Sequence, residues 1–258
     1  MGKIPIALQL YSIREECAKD LPGCLKAVAE MGYEGVEFAG YHGFSACEIR
    51  KMLDANGLKA AGAHVGIDTL LGDEFEKSVE LHRTLGNPYP IVPGLPGEYT
   101  ASRDAWRKTA DVFNEIAAKL RRENMWTGYH NHHTEFTELD GEMPWDTFFG
   151  NTDQDVVMQL DTGNAMHGGA TFTPFLSRYP GRALTVHLKP YAPSLAQDDP
   201  EAGFRPIIGD DETDWAELFG LCEGVAGTRW YTVEYESDLH PPMVAVDLCL
   251  KALRGMGK

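Results

Sequence analysis

The segment GYHNHHTEF, Gly128 to Phe136, holds three of the nine histidines of a 258-residue chain, together with an asparagine and a glutamate. Imidazole at that density suits proton transfer near neutral pH or the holding of a borderline divalent cation. Further polar residues sit late in other apolar runs: Glu37 in YEGVEFAG, His64 in LKAAGAHVGI, Asp161 in DVVMQLDTGNA, His187 and Lys189 in ALTVHLKPY, and Glu234 and Glu236 in RWYTVEYES. If those runs are strands, side chains two apart share a face. His130 then points with His132, His187 with Lys189, and Glu234 with Glu236. A charged group in a buried strand is costly unless it is paired or holds a metal. Taken singly, His64 or His133 reads as a hydrogen-bonded core residue. Glu37, His42, Asp210 and Asp211 read singly as solvated loop or rim residues, and His167 as a rim or substrate contact. Asp161, His187 and Glu234, at the same depth of consecutive strands, read together as one site for a divalent ion. Imidazole with carboxylate favours Mn, Co or Zn over Mg.

Such a site requires elements whose ends converge. Short apolar, β-branched or aromatic runs alternate with longer amphipathic segments along the whole chain, the pattern of repeated βα units on a parallel sheet. IPIALQLYS reads as the first strand and LPGCLKAVAEMG as a helix closed by Gly32. SACEIRKMLDANG opens on the cap Ser45 and ends on Gly57, and SRDAWRKTADVFNEIAAKLRREN is the longest helix, with an acidic-to-basic drift that suits its dipole. MWTGYHNHH reads as the fifth strand. The count reaches eight strands and about eight helices, which predicts an α/β chain folded as one (β/α)8 TIM barrel over residues 1–258, a fold of about 250 residues. Its active sites lie at the C-terminal ends of the strands. Gln9, Tyr11, Glu37, His64 and Trp126 are the candidate walls there, with Glu135 and Arg205 as further substrate contacts. APSLAQDDPEAGFRPIIGDDE, after the seventh strand, reads as a loop over that face.

Composition narrows the partners. With 39 acidic against 23 basic residues the formal charge is −16, and no basic block offers itself to phosphates. Nucleic acid and anionic membrane are excluded as partners. No GxGxxG or P-loop follows the first strand, so a phosphorylated substrate is disfavoured, although Arg14, Lys189 and Arg205 offer charge for one phosphate. Cys17, Cys24, Cys47, Cys222 and Cys249 are odd in number and lack metal-finger spacing, which reads as reduced thiols in a cytoplasmic protein. MGKIPIALQLYSIR resembles neither a signal peptide nor a membrane anchor.

Six motifs in order, LQLYSIR, GYEGVEFAG, GYHNHHTEF, QLDTGNA, YPGRALTVHLK and VEYE, resemble the xylose isomerase-like TIM-barrel superfamily in its sugar phosphate isomerase/epimerase branch, which also holds inosose dehydratases and ketose 3-epimerases. The resemblance implies one divalent metal held by Glu, Asp, His and Glu from strands five to eight. Asp161, His187 and Glu234 match the last three, and His130 stands in the place of the first glutamate with His132 beside it. Where relatives often carry HLKD this chain has HLKP, so Pro190 removes a carboxylate that would orient Lys189. The implied activity is isomerisation or epimerisation of a small sugar, keto-sugar or cyclitol by proton transfer beside a metal-bound carbonyl. A dehydratase or lyase and a non-catalytic sugar-binding barrel are the alternatives. The charge balance argues against an apurinic-site endonuclease of the same superfamily. In the epimerases two metal-bound glutamates exchange the proton across the substrate. Here an imidazole committed to a metal cannot do so, which leaves Glu234 as base, His132 as the general acid or base, and Lys189 as a third catalytic candidate. The expected partner is a small carbohydrate, and a homo-oligomer is compatible with this reading.

Overall fold

Eight of the apolar runs become short parallel strands: β1 (Ile6–Gln9), β2 (Gly35–Phe38), β3 (Lys59–His64), β4 (Pro90–Val92), β5 (Gly128–His130), β6 (Val157–Asp161), β7 (Thr185–Leu188) and β8 (Trp230–Val233). In this computed structural model, which describes residues 2–258, they close into a barrel in chain order, with β1 paired to β8. Met1, which the single-domain and N-terminal readings include, lies outside the described residues. The connecting helices are α1 (Arg14–Met31), α2 (Ala46–Asn56), α3 (Phe75–Leu85), α4 (Gly97–Thr100), α5 (Arg103–Arg122), α6 (Pro144–Asn151), α7 (Thr162–His167), α8 (Thr173–Arg178), α9 (Trp215–Glu223) and α10 (Pro242–Gly255). The expected (β/α)8 barrel is therefore the fold found. Among the described residues no helix is long and apolar enough to cross a membrane.

Local signals explain most boundaries. Ser45 starts α2 through a capping box, its backbone N–H donating to Glu48 Oε2 at 2.8 Å while its hydroxyl accepts from the Glu48 N–H. Gly57 ends that helix in the left-handed region at φ 67°. Ser102 Oγ accepts from the Ala105 N–H at the start of α5, whose last turn carries Lys119, Arg121 and Arg122. At the N-terminal end of the barrel Ala7, Ala61, Ile91, Val157 and Leu184 pack together, so the barrel is a packed core and not a pore. Outside it, Trp106 and Phe113 of α5 meet Tyr129 of β5 and Phe148 of α6 edge-to-face.

Three elements differ from the sequence reading. The first helix begins at Arg14, not Leu21. It breaks at Asp20 (φ −153°, ψ 75°), whose carboxylate accepts from the Gly23 N–H and restarts the helix where Pro22 has no N–H to give. The first strand stops at Gln9 because its side-chain oxygen accepts from the Tyr11 N–H and turns the chain into a 3₁₀ segment, Leu10–Ile13. The fifth strand stops at His130. Asn131 ends it by pairing its side-chain amide with the backbone of Asp161, donating to the carbonyl at 3.0 Å and accepting from the N–H at 2.8 Å. His132 is thus a loop residue.

Candidate functional site

His130 and Asp161 close β5 and β6, His187 lies within β7, and Glu234 follows β8 by one residue. The barrel register sets Asp161 opposite His187, which brings the ends to one depth. One donor atom from each of His130, Asp161, His187 and Glu234 lies within 4.8 Å of all the others. His187 is gripped on both sides, Nδ1 by Glu234 Oε2 and Nε2 by Glu37 Oε2, each at 2.5 Å. Burial opposes the charge on this imidazole, but Glu37 and Glu234 outweigh it and raise its pKa to about 10. Burial, with His187 and His64 close by, holds His130 well below the ordinary histidine value. Glu234 resists the upward push of burial because Lys189 and His187 face it, and its pKa lies well below the usual carboxylate range.

Asp161 gives the test of whether these groups fit a metal. Its Oδ1 caps α7 by accepting from the Asn164 N–H at 2.7 Å. Its Oδ2 is buried without a hydrogen-bond partner, 3.8 Å from His187 Nδ1. Burial outweighs the attraction of Lys189 and pushes this carboxyl up to about 7. An orphaned carboxylate oxygen aimed among two imidazoles and a second carboxylate is what a divalent ion would satisfy. A second group, His64 with His130 and His187, also meets the same 4.8 Å limit.

Above the four groups opens a cavity of about 970 Å³, reached by His130, Lys189 and Glu234 from the strand ends and by Tyr11, His132, His133, His167, Phe204 and Arg205 from the rim. The loop after β7 supplies Asp199, Glu201, Phe204 and Arg205, so it does cover the C-terminal face as expected. His132 is open to the cavity, yet the walls still strip enough water from it to hold its pKa below the ordinary value, against the pull of Glu135. Lys189 is buried, and Glu234, Asp161 and Glu236 overcome that burial to raise its pKa. It donates to Glu234 Oε1 at 3.2 Å and to Glu236 Oε1. Carboxylates of the β8 end therefore orient the lysine, which offsets the loss expected from Pro190.

Of the residues read as substrate walls, Tyr11, His64 and Arg205 line the cavity. Gln9, Glu37 and Glu135 do not. Gln9 and Glu37 are fully buried beneath it, and Glu135 is buried behind the β5 loop, accepting from the His132 N–H and the Tyr129 hydroxyl. Trp126 is a correction: it precedes β5 at the opposite end of the barrel, where the guanidinium groups of Arg121 and Arg229 lie over its ring at 4.0 and 5.4 Å. Asp211, read as a rim group, ties its own loop by accepting from the Trp215 indole N–H at 2.8 Å. The sequence reading overlooked Gln159, Thr185, Asn131 and Asn164. Gln159 stands two residues before Asp161 on the same strand, so the face rule that paired the other residues was the available signal.

The chain matches the family described as xylose isomerase-like TIM barrel over residues 25–253. It is 23% identical over 246 residues to a protein of Clostridium botulinum (strain Alaska E43 / Type E3) named inosose dehydratase, covering 83% of this chain and 82% of the relative. A sugar phosphate isomerase/epimerase structure from Parabacteroides distasonis superposes with a TM-score of 0.83 at 24% identity, over 98% of this chain and 94% of that one. The structure of the IOLI protein with a bound zinc atom does so with a TM-score of 0.74 at 14% identity, over 98% and 97%. The family match takes in every strand from β2 to β8, and the chain belongs to the xylose isomerase-like TIM-barrel family.

Proposed function

We propose that the protein is a divalent-metal-dependent dehydratase of a small uncharged keto-cyclitol or keto-sugar. The observation that carries this reading is that the carboxylate of Glu234, itself one of the candidate ligands, and the imidazole of His132, which lies outside the ligand cluster, both line the cavity, so two unlike groups are offered for proton transfer. A metal ion held by His130, Asp161, His187 and Glu234 would polarise the substrate's carbonyl and the hydroxyl beside it. Glu234 takes the proton from the carbon next to the carbonyl. The electron pair of that C–H bond forms the new double bond as the C–O bond to the hydroxyl on the following carbon breaks, and His132 gives its proton to the departing oxygen, so that water leaves. Lys189 stays charged and stabilises the negative charge that grows on the substrate oxygen. Asp199, Glu201, Glu236 and Asp238 line the upper cavity, and its two cations, Lys189 and Arg205, already face Glu234 and Asp199. A phosphorylated substrate meets repulsion there.

The curated relative named inosose dehydratase supports elimination. A second reading, isomerisation or epimerisation, is favoured by the likeness to the Parabacteroides sugar phosphate isomerase/epimerase, and it differs only in where His132 puts the proton. Metal-supplemented reactions with inososes, keto-sugars and 3-keto-glycosides in deuterated water, followed by proton NMR, separate the two. Glu234→Gln should abolish deuterium exchange at the carbon beside the carbonyl. His132→Asn should permit exchange but block product. A product with its water retained and a stereocentre inverted selects the second reading, and exchange in Glu234→Gln as fast as in the parent enzyme overturns the division of labour altogether.

A further inference from the structure

Beneath the four candidate ligands lies a layer made by Gln9, Glu37, Gln159 and Thr185, all fully buried, with His64 at its edge. Its hydrogens have one consistent placement. Gln159 Nε2 lies 2.8 Å from Glu37 Oε1 and 2.8 Å from Thr185 Oγ1. A carboxylate only accepts, so this end of the amide is the NH₂ group. The other end, Oε1, faces His64 Nε2 at 2.7 Å and His130 Nδ1 at 3.1 Å. Since that oxygen can only accept, both imidazole nitrogens must carry hydrogen. Gln9 is fixed by the same logic: its Oε1 accepts from the Tyr11 N–H at 3.1 Å, and its Nε2 donates to Glu37 Oε2 at 3.0 Å. The Gln9 NH₂ group also faces His64 Nδ1 at 3.3 Å, which is therefore the lone-pair nitrogen of that ring. With these bonds Gln159 has used two donors and two acceptor sites, its full capacity.

We propose that Gln159 is a positioning residue that locks His130 as the Nδ1–H tautomer, so that Nε2 alone carries a lone pair for the ion. The same amide withholds His64 from ligation, because one of its nitrogens is protonated onto Gln159 and the other accepts from Gln9. The three-imidazole group is thereby set aside in favour of His130, Asp161, His187 and Glu234, where His187 would keep Nε2–H on Glu37 and give up the Nδ1 proton it shares with Glu234, itself a candidate ligand, as the ion enters. The choice between ligand sets rests on the metal reading proposed above. The tautomers do not, since they follow from hydrogen bonds among this chain's own side chains. Outer partners of this kind typically change metal affinity by roughly 10- to 100-fold when removed, because a mobile or wrongly protonated imidazole must be reset at each binding event.

Nitrogen–proton correlation spectra of the imidazoles in histidine-labelled, metal-free protein test the lock directly. The expected result is His130 protonated on Nδ1 and His64 on Nε2. Gln159→Met keeps the volume without the amide, and in it His130 should lose its single-tautomer signature while the zinc dissociation constant rises roughly 10- to 100-fold. A parent spectrum with the His130 proton on Nε2 overturns the proposal, as does Gln159→Met binding zinc as tightly as the parent. If that variant does not fold, the parent spectrum decides alone. A parent that fails to bind zinc while His130 remains Nδ1–H removes the metal reading and leaves the lock standing.

Discussion

Replacing Asp161 by asparagine should make the metal-free protein more stable and the metal-loaded protein less so. The Asp161 carboxyl rises from its ordinary value of 3.8 to about 7 in the fold. A carboxyl raised in this way makes the folded state hold a proton that the unfolded chain has lost, so stability falls as pH climbs from about 4 to about 7, and the whole penalty is present above that. At about 1.4 kcal/mol per pH unit, ionised Asp161 costs the native state on the order of 4 kcal/mol at pH 8. Asparagine keeps the oxygen that accepts from the Asn164 N–H and removes the charge. Its NH₂ group takes the place of Oδ2, which has no hydrogen-bond partner, so about 1–3 kcal/mol is lost again to an unsatisfied donor. A net gain of about 1–3 kcal/mol remains. Zinc or manganese at about a thousand times its dissociation constant should add about 4 kcal/mol to the parent and little to the variant, which lacks a ligand. Urea unfolding at pH 8, with chelator and then with metal, should therefore show the order of stability reverse. A variant less stable than the parent under chelator refutes the argument from unpaired charge. Equal stabilisation of both proteins by metal refutes Asp161 as a ligand.

Two further predictions concern groups outside the cavity lining. Burial depresses His82, whose Nδ1 faces the Asn87 side-chain amide at 3.0 Å, to about 4, so the native state binds fewer protons than the unfolded chain between about 4 and 6.5 and loses stability as pH falls through that window. The loss approaches about 3 kcal/mol below pH 4. His82→Gln keeps an acceptor for Asn87 and should remove about 2 kcal/mol of the parent's decline between pH 7 and 5 in urea unfolding; identical pH profiles would falsify this account. Gly62→Ala would drive a Cβ into Glu37 Oε1, a carboxylate pinned by Gln9, Gln159 and His187. Overpacking of this kind should cost about 1–3 kcal/mol and weaken metal retention, and a variant with the parent's melting temperature and metal content would show that the layer yields freely.

What the sequence made legible follows from what strand periodicity encodes. A period of two assigns a face, and in a closed barrel the inward faces converge, which is why Asp161, His187 and Glu234 group from spacing alone. Periodicity does not encode depth along the barrel axis. Gln9 and Glu37 share the inward face with the ligands but sit a layer lower, and the pairing of β2 with β3 slips by one residue between Val36 and Glu37. Depth therefore depends on stagger between strands, and that emerges only when the barrel closes. The choice between His130 and His132 had a different cause. On a continued strand both would point inward, but Asn131 satisfies the Asp161 backbone with its own side chain and ends the strand, so only His130 joins the cluster. Sequence alone misplaces Trp126 because an aromatic beside a polar run looks the same at either end of a strand. Gln159 does not stand out in the sequence because a neutral amide does not signal chemistry by its type. Its significance comes from partners 26, 29, 95 and 122 residues away, which no local pattern brings together. The residues able to coordinate were readable one strand at a time; the residues that decide how they are held exist as a set only in the closed barrel.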